Sequence, residues 1–413
     1  MTSALDLVFA PAAPDVSVKM RERIGKAVSA NGATKVFEVA EFFAGIGLAR
    51  LGLEHARNTK FKVKWANDLD PDKEDMYLRH FGEGKGKAHY HLQDIRVVAG
   101  DIKAAKVPRN LSLAWASFPC TDLSLAGGRQ GLAGQHSSTF FDFTDVLKNL
   151  GDDRPPVVAI ENVNGFATSH RGADIKEAVS RLNDLDYSVD VVTLDARRWV
   201  PQSRPRLFLI AAHPFLLTDV KQDERRDTAL RPSWLDPVLD SGLRTHRAEL
   251  PEPPALLTEG WTDLVDDDHA DGVEWWDETR TAKFCSELSP VQSERVGKLA
   301  EQAGRRPQYR TAYRRTRNGK PAWEIRDGDV AGCLRTARGG SSKQAVVRIQ
   351  GESLRVRWMT AREYAKLMGA PDYRLPDNRN QSIMGFGDAV CVNAVQWLAE
   401  EYLGPLLSGD LAR

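Results

Sequence analysis

Short apolar runs, each ending abruptly at a polar or turn-forming residue, recur between residues 35 and 211. Lys35–Phe43 (KVFEVAEFF), Lys62–Ala66 (KVKWA), Leu111–Phe118 (LSLAWASF), Val157–Ile160 (VVAI), Ser188–Leu194 and Arg206–Ala211 (RLFLIA) all have the length of strands. Such runs, bounded by turn residues, read as buried strands of a parallel sheet. His89–Ile95 reads as a further strand, with Asp94 at its end. Helical periodicity follows several of these runs, from Leu48, over Lys73–Phe81 and over Asp174–Leu185. Strands alternating with helices over residues 35–215 predict a doubly wound, mostly parallel α/β domain.

Past residue 215 the texture changes. Prolines, acids and tryptophans dominate to about residue 280, without βα alternation, and Pro290–Gln302 then reads as a helix. A basic run and a Gly339-Gly340-Ser341-Ser342 stretch follow. Thr360–Met368 reads as a helix opened by Thr360, with Glu363 at capping-box spacing. Ala389–Leu403 reads as a final amphipathic helix. The division expected is an N-terminal arm (1–34), an α/β domain (35–215), a smaller irregular domain (216–380) and a C-terminal helix returning to the first domain (381–413).

Composition adds bounds. With 42% hydrophobic and 28% charged residues the chain is ordinary for a globular protein. No apolar run approaches the roughly 20 residues that span a bilayer, and the start lacks a signal pattern, so a cytoplasmic location without membrane contact is expected. Cys120, Cys285, Cys333 and Cys391 are widely spaced without a CxxC pair, which predicts reduced thiols and no zinc site. The formal net charge of zero argues against a uniformly basic coat, yet the charge is unevenly placed. From Arg305 to Lys320 there are seven basic residues and no acid, with Tyr309 and Tyr313 among them. Local patches of this kind decide where a polyanion docks. Glu249–Glu278 is instead strongly acidic, with Trp261, Trp275 and Trp276 interleaved.

The candidate chemistry lies at the strand ends, because ligands of open α/β sheets sit outside the carboxyl ends of the strands. Pro119-Cys120 ends one apolar run; its thiol is a candidate nucleophile, with a buried apolar cysteine as the alternative that the polar neighbours Ser117, Thr121, Asp122 and Ser124 weigh against. Glu161-Asn162-Val163 ends another, and its carboxyl is either a desolvated candidate acid/base or a solvated strand-end acid. The Gly45-Ile46-Gly47 turn after the first strand lets a ligand approach the backbone. It fits neither GxxxxGK[ST] nor GxGxxG, so a phosphate cradle is not indicated. Asp68, at the next strand end, suits ribose hydroxyls. Arg204 and Arg206, two residues apart before a strand, point toward one strand edge and can hold a carboxyl, a carbonyl or a phosphate.

In order, FAGIG, NDLD, QDI, SFPCTDLS, ENVNG, QSRPR, TAREYAKLMG and GFGDAV resemble the DNA (cytosine-5) methyltransferases of bacterial restriction-modification systems, over residues 36–404. The resemblance implies an S-adenosylmethionine-dependent enzyme that flips a cytosine out of double-stranded DNA, with S-adenosylhomocysteine as product. Cys120 would attack C6, Glu161 would contact N3 and the exocyclic amine, and Arg206 with Arg204 would lie near the ring and the thiolate. Phe43, Gly45, Gly47, Asp68, Leu69, Asp94, Ile95, Pro119, Asp388 and Val390 would hold the cofactor, and no metal is implied. Residues 216–380 would be the target-recognition domain. Ser124, Arg314, Arg315, Arg317, Arg335, Thr336, Gly339 and Gly340 would face DNA. Departures from the family's common pattern fall at Glu41, Leu48, Thr121 and Asp388, where Asp, Gly, Gln and Asn are frequent. A cognate restriction endonuclease is a candidate partner, and the enzyme is expected to act as a monomer on DNA. An RNA cytosine-5 methyltransferase and a DNA-binding protein with an inactive catalytic domain are the alternatives.

Overall fold

The computed structural model describes residues 36–82, 89–119, 132, 138–303, 307–317, 319–336 and 343–411. Eleven strands among them make two sheets. The larger has the order β3-β2-β1-β4-β5-β7-β6, from β1 (Val36–Phe42), β2 (Lys60–Asp68), β3 (Tyr90–Leu92), β4 (Leu113–Ala116), β5 (Val157–Val163), β6 (Ser188–Asp195) and β7 (Pro205–Ala212). The first five strands pair in parallel, and β7 runs antiparallel between β5 and β6. Strand order reverses beside β1, so a crevice opens between the ends of β1 and β4.

Period-two alternation assigns each strand residue to one of two apolar layers. Leu207, Leu209 and Ala211 of β7 enter one layer, with Val158 and Ile160 of β5. Phe208, Ile210 and Ala212 enter the other, with Val157 and Ala159. Helices α3 (Ile95–Gly100), α4 (Thr139–Leu150) and α5 (Ala173–Asp184) cover the first face. Helices α1 (Leu48–Glu54), α2 (Pro71–Phe81) and α10 (Val392–Leu398) cover the second. Both faces are therefore buried, as the near-continuous apolar strands foretold. Each fully buried Leu, Ile or Phe contributes about 1.5–3 kcal/mol.

The second layer also takes in Val220, Leu230, Ala248 and Leu250, so the change in packing falls nearer residue 250 than residue 215. Beyond it lies a four-stranded antiparallel sheet, order β11-β10-β8-β9, formed by β8 (Gln308–Arg317), β9 (Lys320–Ile325), β10 (Gln344–Gln350) and β11 (Ser353–Trp358). Phe284 of α6 (Glu278–Ser286) and Leu299 of α7 (Pro290–Ala303) pack on it with Trp323, Val347 and Val356. A further cluster joins Ile46, Leu48 and Met76 of the larger unit to Leu334, Val346, Tyr364 and Phe386. It includes residues of α8 (Ala361–Leu367) and α9 (Arg379–Asp388) and fastens the second sheet's surroundings to the turn after β1. Among the described residues, no helix is long and apolar enough to cross a membrane.

Two of three expected elements differ in detail. Tyr90–Leu92 is the whole of β3, because Asp94 caps α3 through the Arg96 amide and Ile95 already lies in the helix. The capping box at Thr360 and Glu363 forms as its spacing foretold. The last helix is interrupted. Ala389 is extended, α10 starts at Val392 under Cys391, and Ala399–Leu403 widens into a π turn.

Candidate active site and cofactor turn

Glu161 and Arg206 reach each other across two antiparallel strands. Register pairs Val163 with Arg206 and Glu161 with Phe208, which makes Glu161 and Arg206 diagonal neighbours on one face of the sheet. Arg206 Nε lies 3.0 Å from Glu161 Oε1, and both side chains are largely buried. The next residue, Asn162, donates from Nδ2 to the carbonyl oxygen of Phe118 at 3.2 Å, while its Oδ1 accepts from the Val163 amide at 2.8 Å. The end of β5 is thereby tied to the segment that runs from β4 through Pro119 toward Cys120. Cys120 and Ser124 lie outside the described residues, as do Gly339 and Gly340.

Arg204 has a different post from Arg206. It is 1% exposed, and its guanidinium donates to the carbonyl oxygens of Leu334 (2.7 Å), Gly387 (3.0 Å) and Ala389 (2.5 Å). Alternation alone put the two arginines on one edge, but Arg204 is consumed by backbone carbonyls and acts as a clamp. Cys333, taken from sequence only as a reduced thiol, emerges beside both. Burial alone would raise its thiol, yet Arg204, Arg206 and Arg335 outweigh burial and hold it below the ordinary cysteine range.

The turn after β1 is shaped for close approach. Phe43 takes φ 54°, Gly45 φ 56° and Gly47 φ 79°. A Cβ on Gly47 would come within 2.5 Å of the Phe81 ring and 2.7 Å of the Tyr77 ring, so only glycine fits there. Asp68 braces the turn, accepting from the amides of Gly45 (2.9 Å), Leu69 (2.8 Å) and Asp70 (3.1 Å). A carboxylate offers about four acceptor positions, so one remains for a ribose hydroxyl. Leu69 beside it is 61% exposed, an apolar surface of the kind an adenine would cover. These features fit a nucleoside cofactor. Asp94 is paired with Arg96, Ile95 is buried in the first core layer, and Val390 in the second.

Two groups near this turn have surroundings that the sequence does not reveal, and one of them, Lys73, escaped the sequence reading. Glu41, buried on β1, has its carboxyl pushed up to about 8 by burial, against the pull of Arg50, and its Oε2 has no hydrogen-bond partner among the described residues. Lys73 pairs with Asp388 at 3.1 Å. Burial would lower its ammonium, but Asp68, Asp388 and Asp70 outweigh that and hold it up. A cation in the first turn of a helix opposes the macrodipole, and that misfit was the available signal.

The basic run is β8, and a strand divides its arginines between faces. Arg315 and Arg317 share Glu324 with Tyr313, whereas Arg314 turns to Glu287 at 3.3 Å. A cleft of about 380 Å³ lies alongside, lined by Arg197 next to β6 and by Arg295, Tyr313, Glu324 and Arg326 from the second unit.

A family model described as C-5 cytosine-specific DNA methylase matches residues 37–403. The type II methyltransferase M.HhaI of Haemophilus parahaemolyticus is 24% identical over 366 residues, covering 87% of this chain and 92% of that protein. M.Sau3AI of Staphylococcus aureus is 29% identical over 210 residues, 49% of this chain; the match spans about half of that relative, 48%. The solved methyltransferase EhMeth of Entamoeba histolytica shares the fold, with TM-score 0.59 and 15% identity over 92% of this chain and 99% of that one.

Proposed function

The chain belongs to the C-5 cytosine-specific DNA methylase family, and on that premise we propose that it methylates C5 of cytosine in double-stranded DNA. The observation that carries this reading is the buried Glu161–Arg206 pair at the carboxyl edge of the sheet, tied through Asn162 to the Pro119 segment. Two residues of separate motifs, 45 positions apart (206 − 161), meet there and on no solvent-exposed surface.

Each residue then has a task. Arg206 fixes the Glu161 carboxyl, which faces N3 and the exocyclic amine of the extruded base and favours attack at C6. Cys120 supplies the thiolate, forming the bond to C6 that is broken again when the C5 proton leaves. Base extrusion costs a few kcal/mol, which contacts in the pocket and cleft must offset. Asp68, Leu69 and the Gly45–Gly47 turn would hold S-adenosylmethionine. When bound, that cofactor supplies the methyl group for C5. Glu41 and Asp388 depart from the family's usual residues near this pocket without removing any group the chemistry needs. The cleft beside Arg197 and Arg326, with Arg315, Arg317, Arg335 and Thr336, forms the proposed DNA face of a protein acting as a monomer, alongside a cognate restriction endonuclease.

The test is transfer of labelled methyl groups from S-adenosylmethionine to duplex DNA, followed by bisulfite sequencing of the product. Converted and protected cytosines would reveal both activity and target. Cys120→Ala is expected to abolish transfer while leaving cofactor binding within a fewfold of the parent, because the thiol acts on the base alone. Undiminished transfer in that variant would refute the mechanism, and label found on tRNA instead of duplex DNA would refute the substrate.

A further inference from the structure

Asp388 is shared by two neighbours that belong to different parts of the proposed reaction. Its Oδ2 pairs with Lys73 Nζ at 3.1 Å, and its Oδ1 accepts from the Thr336 hydroxyl. Lys73 sits in the first turn of α2, where a Cβ on Gly45 would lie 3.9 Å from its Cδ, so the ammonium stem borders the cofactor turn. Thr336 and Arg335 belong to the proposed DNA face. The segments on the two sides of Asp388 are also locked together. A Cβ on Gly387 would come 2.6 Å from the Arg335 carbonyl carbon and the Thr336 nitrogen, and Arg204 holds the carbonyls of Leu334, Gly387 and Ala389 on one guanidinium.

We propose that Asp388 is a positioning residue that couples occupancy of the cofactor turn to the placement of Arg335 and Thr336; the inference rests on the methyltransferase reading. The amino-acid end of S-adenosylmethionine carries an ammonium and a carboxylate. The first competes with Lys73 for Asp388, and the second competes with Asp388 for Lys73. Either exchange changes the carboxylate to which Thr336 donates. A ligand shifts such an arrangement only through a difference in interaction between two states, and here the difference is whether Lys73 shares the acceptor. Reciprocity then requires that DNA held at Thr336 alter cofactor affinity by the same factor.

The coupling is measured by hydrogen exchange on the full chain, with and without saturating S-adenosylhomocysteine, which carries the same amino-acid end. Peptide 43–50 reports binding, and peptide 331–336 reports coupling. In the parent both should respond, the second by about fivefold or more, the lower edge of ordinary coupling factors. In Thr336→Val the response at 43–50 should persist while that at 331–336 falls below about twofold, and Thr336→Ser should restore it. Lys73→Met should blunt the 331–336 response in the same way, by removing the ion that the ligand displaces. An equal response in Thr336→Val, or none at 331–336 in a parent that responds at 43–50, overturns the coupling. No response at 43–50 in the parent overturns the cofactor reading itself, and the coupling with it.

Discussion

Arg204→Met removes a guanidinium that is 1% exposed and leaves the carbonyl oxygens of Leu334, Gly387 and Ala389 without their donor. Hydrogen bonds to a charged group are worth about 1.5–3 kcal/mol each, so three of them sum to roughly 5–9 kcal/mol gross. Returning the guanidinium to water in the unfolded chain recovers several kcal/mol of desolvation, and the methionine refills most of the volume. The net loss expected is about 2–4 kcal/mol, with no cofactor or DNA present. Urea unfolding followed by tryptophan fluorescence and by far-ultraviolet circular dichroism measures it, with coincidence of the two probes as the check on a single transition. The midpoint should fall with little change in slope. A loss under about 1 kcal/mol would mean that the carbonyls find other donors and that Arg204 is free to serve the substrate.

Burial pushes His246 down to about 4, below the 6.5 of an unfolded histidine. Its contribution is therefore complete above about pH 6.5 and is lost as pH falls toward 4, up to about 3 kcal/mol. His246→Gln should flatten the acid side of the stability profile, and an unchanged slope between pH 4 and 6.5 would contradict the assignment. Glu41 has the opposite sign. Its folded value of about 8 makes the ionised carboxyl progressively costly from pH 4.5 to 8, so Glu41→Gln should gain stability over the parent across that window, and a constant difference would refute it. For DNA, Arg315→Met with Arg317→Met should lower the salt slope of binding by about one phosphate contact, because the pair already shares Glu324. Arg314→Met should leave that slope unchanged, and a fall equal to that of the pair would show that strand alternation does not govern the face.

Legibility in the sequence follows the range over which each feature is encoded. Val157–Ile160 is apolar without interruption because both of its faces are covered, so the strand, the sheet class and the place of Glu161 at its carboxyl end could be read from a few residues. The same holds for the helix at Ala361–Leu367, where Thr360 and Glu363 satisfy each other's backbone amides within one turn. Gln308–Arg317 was harder, because a strand with arginines on both faces carries no apolar alternation, and its pairing partners come from as far as residue 349.

Polar partners joined by the fold were not legible at all. Nothing near Asp190 announces that Arg231 lies 2.5 Å away, or that Tyr402 donates to it at 2.8 Å. Tyr402 has one proton, and Asp190 receives it, so the contact of 3.0 Å with His246 obliges His246 Nε2 to be the donor. Nδ1 then accepts from Ser188 at 3.1 Å, and four side chains from three segments are fixed in one tautomer. The burial that depresses His246 is thus also what makes the set cooperative, since a proton on Nδ1 would break the bond to Ser188 at the same step. Asp388 obeys the same logic across 315 positions to Lys73 and 52 to Thr336. A motif shows that an acid stands there in place of an amide. Only the packing of Gly387 on Arg335 shows what a charge at that point can hold together.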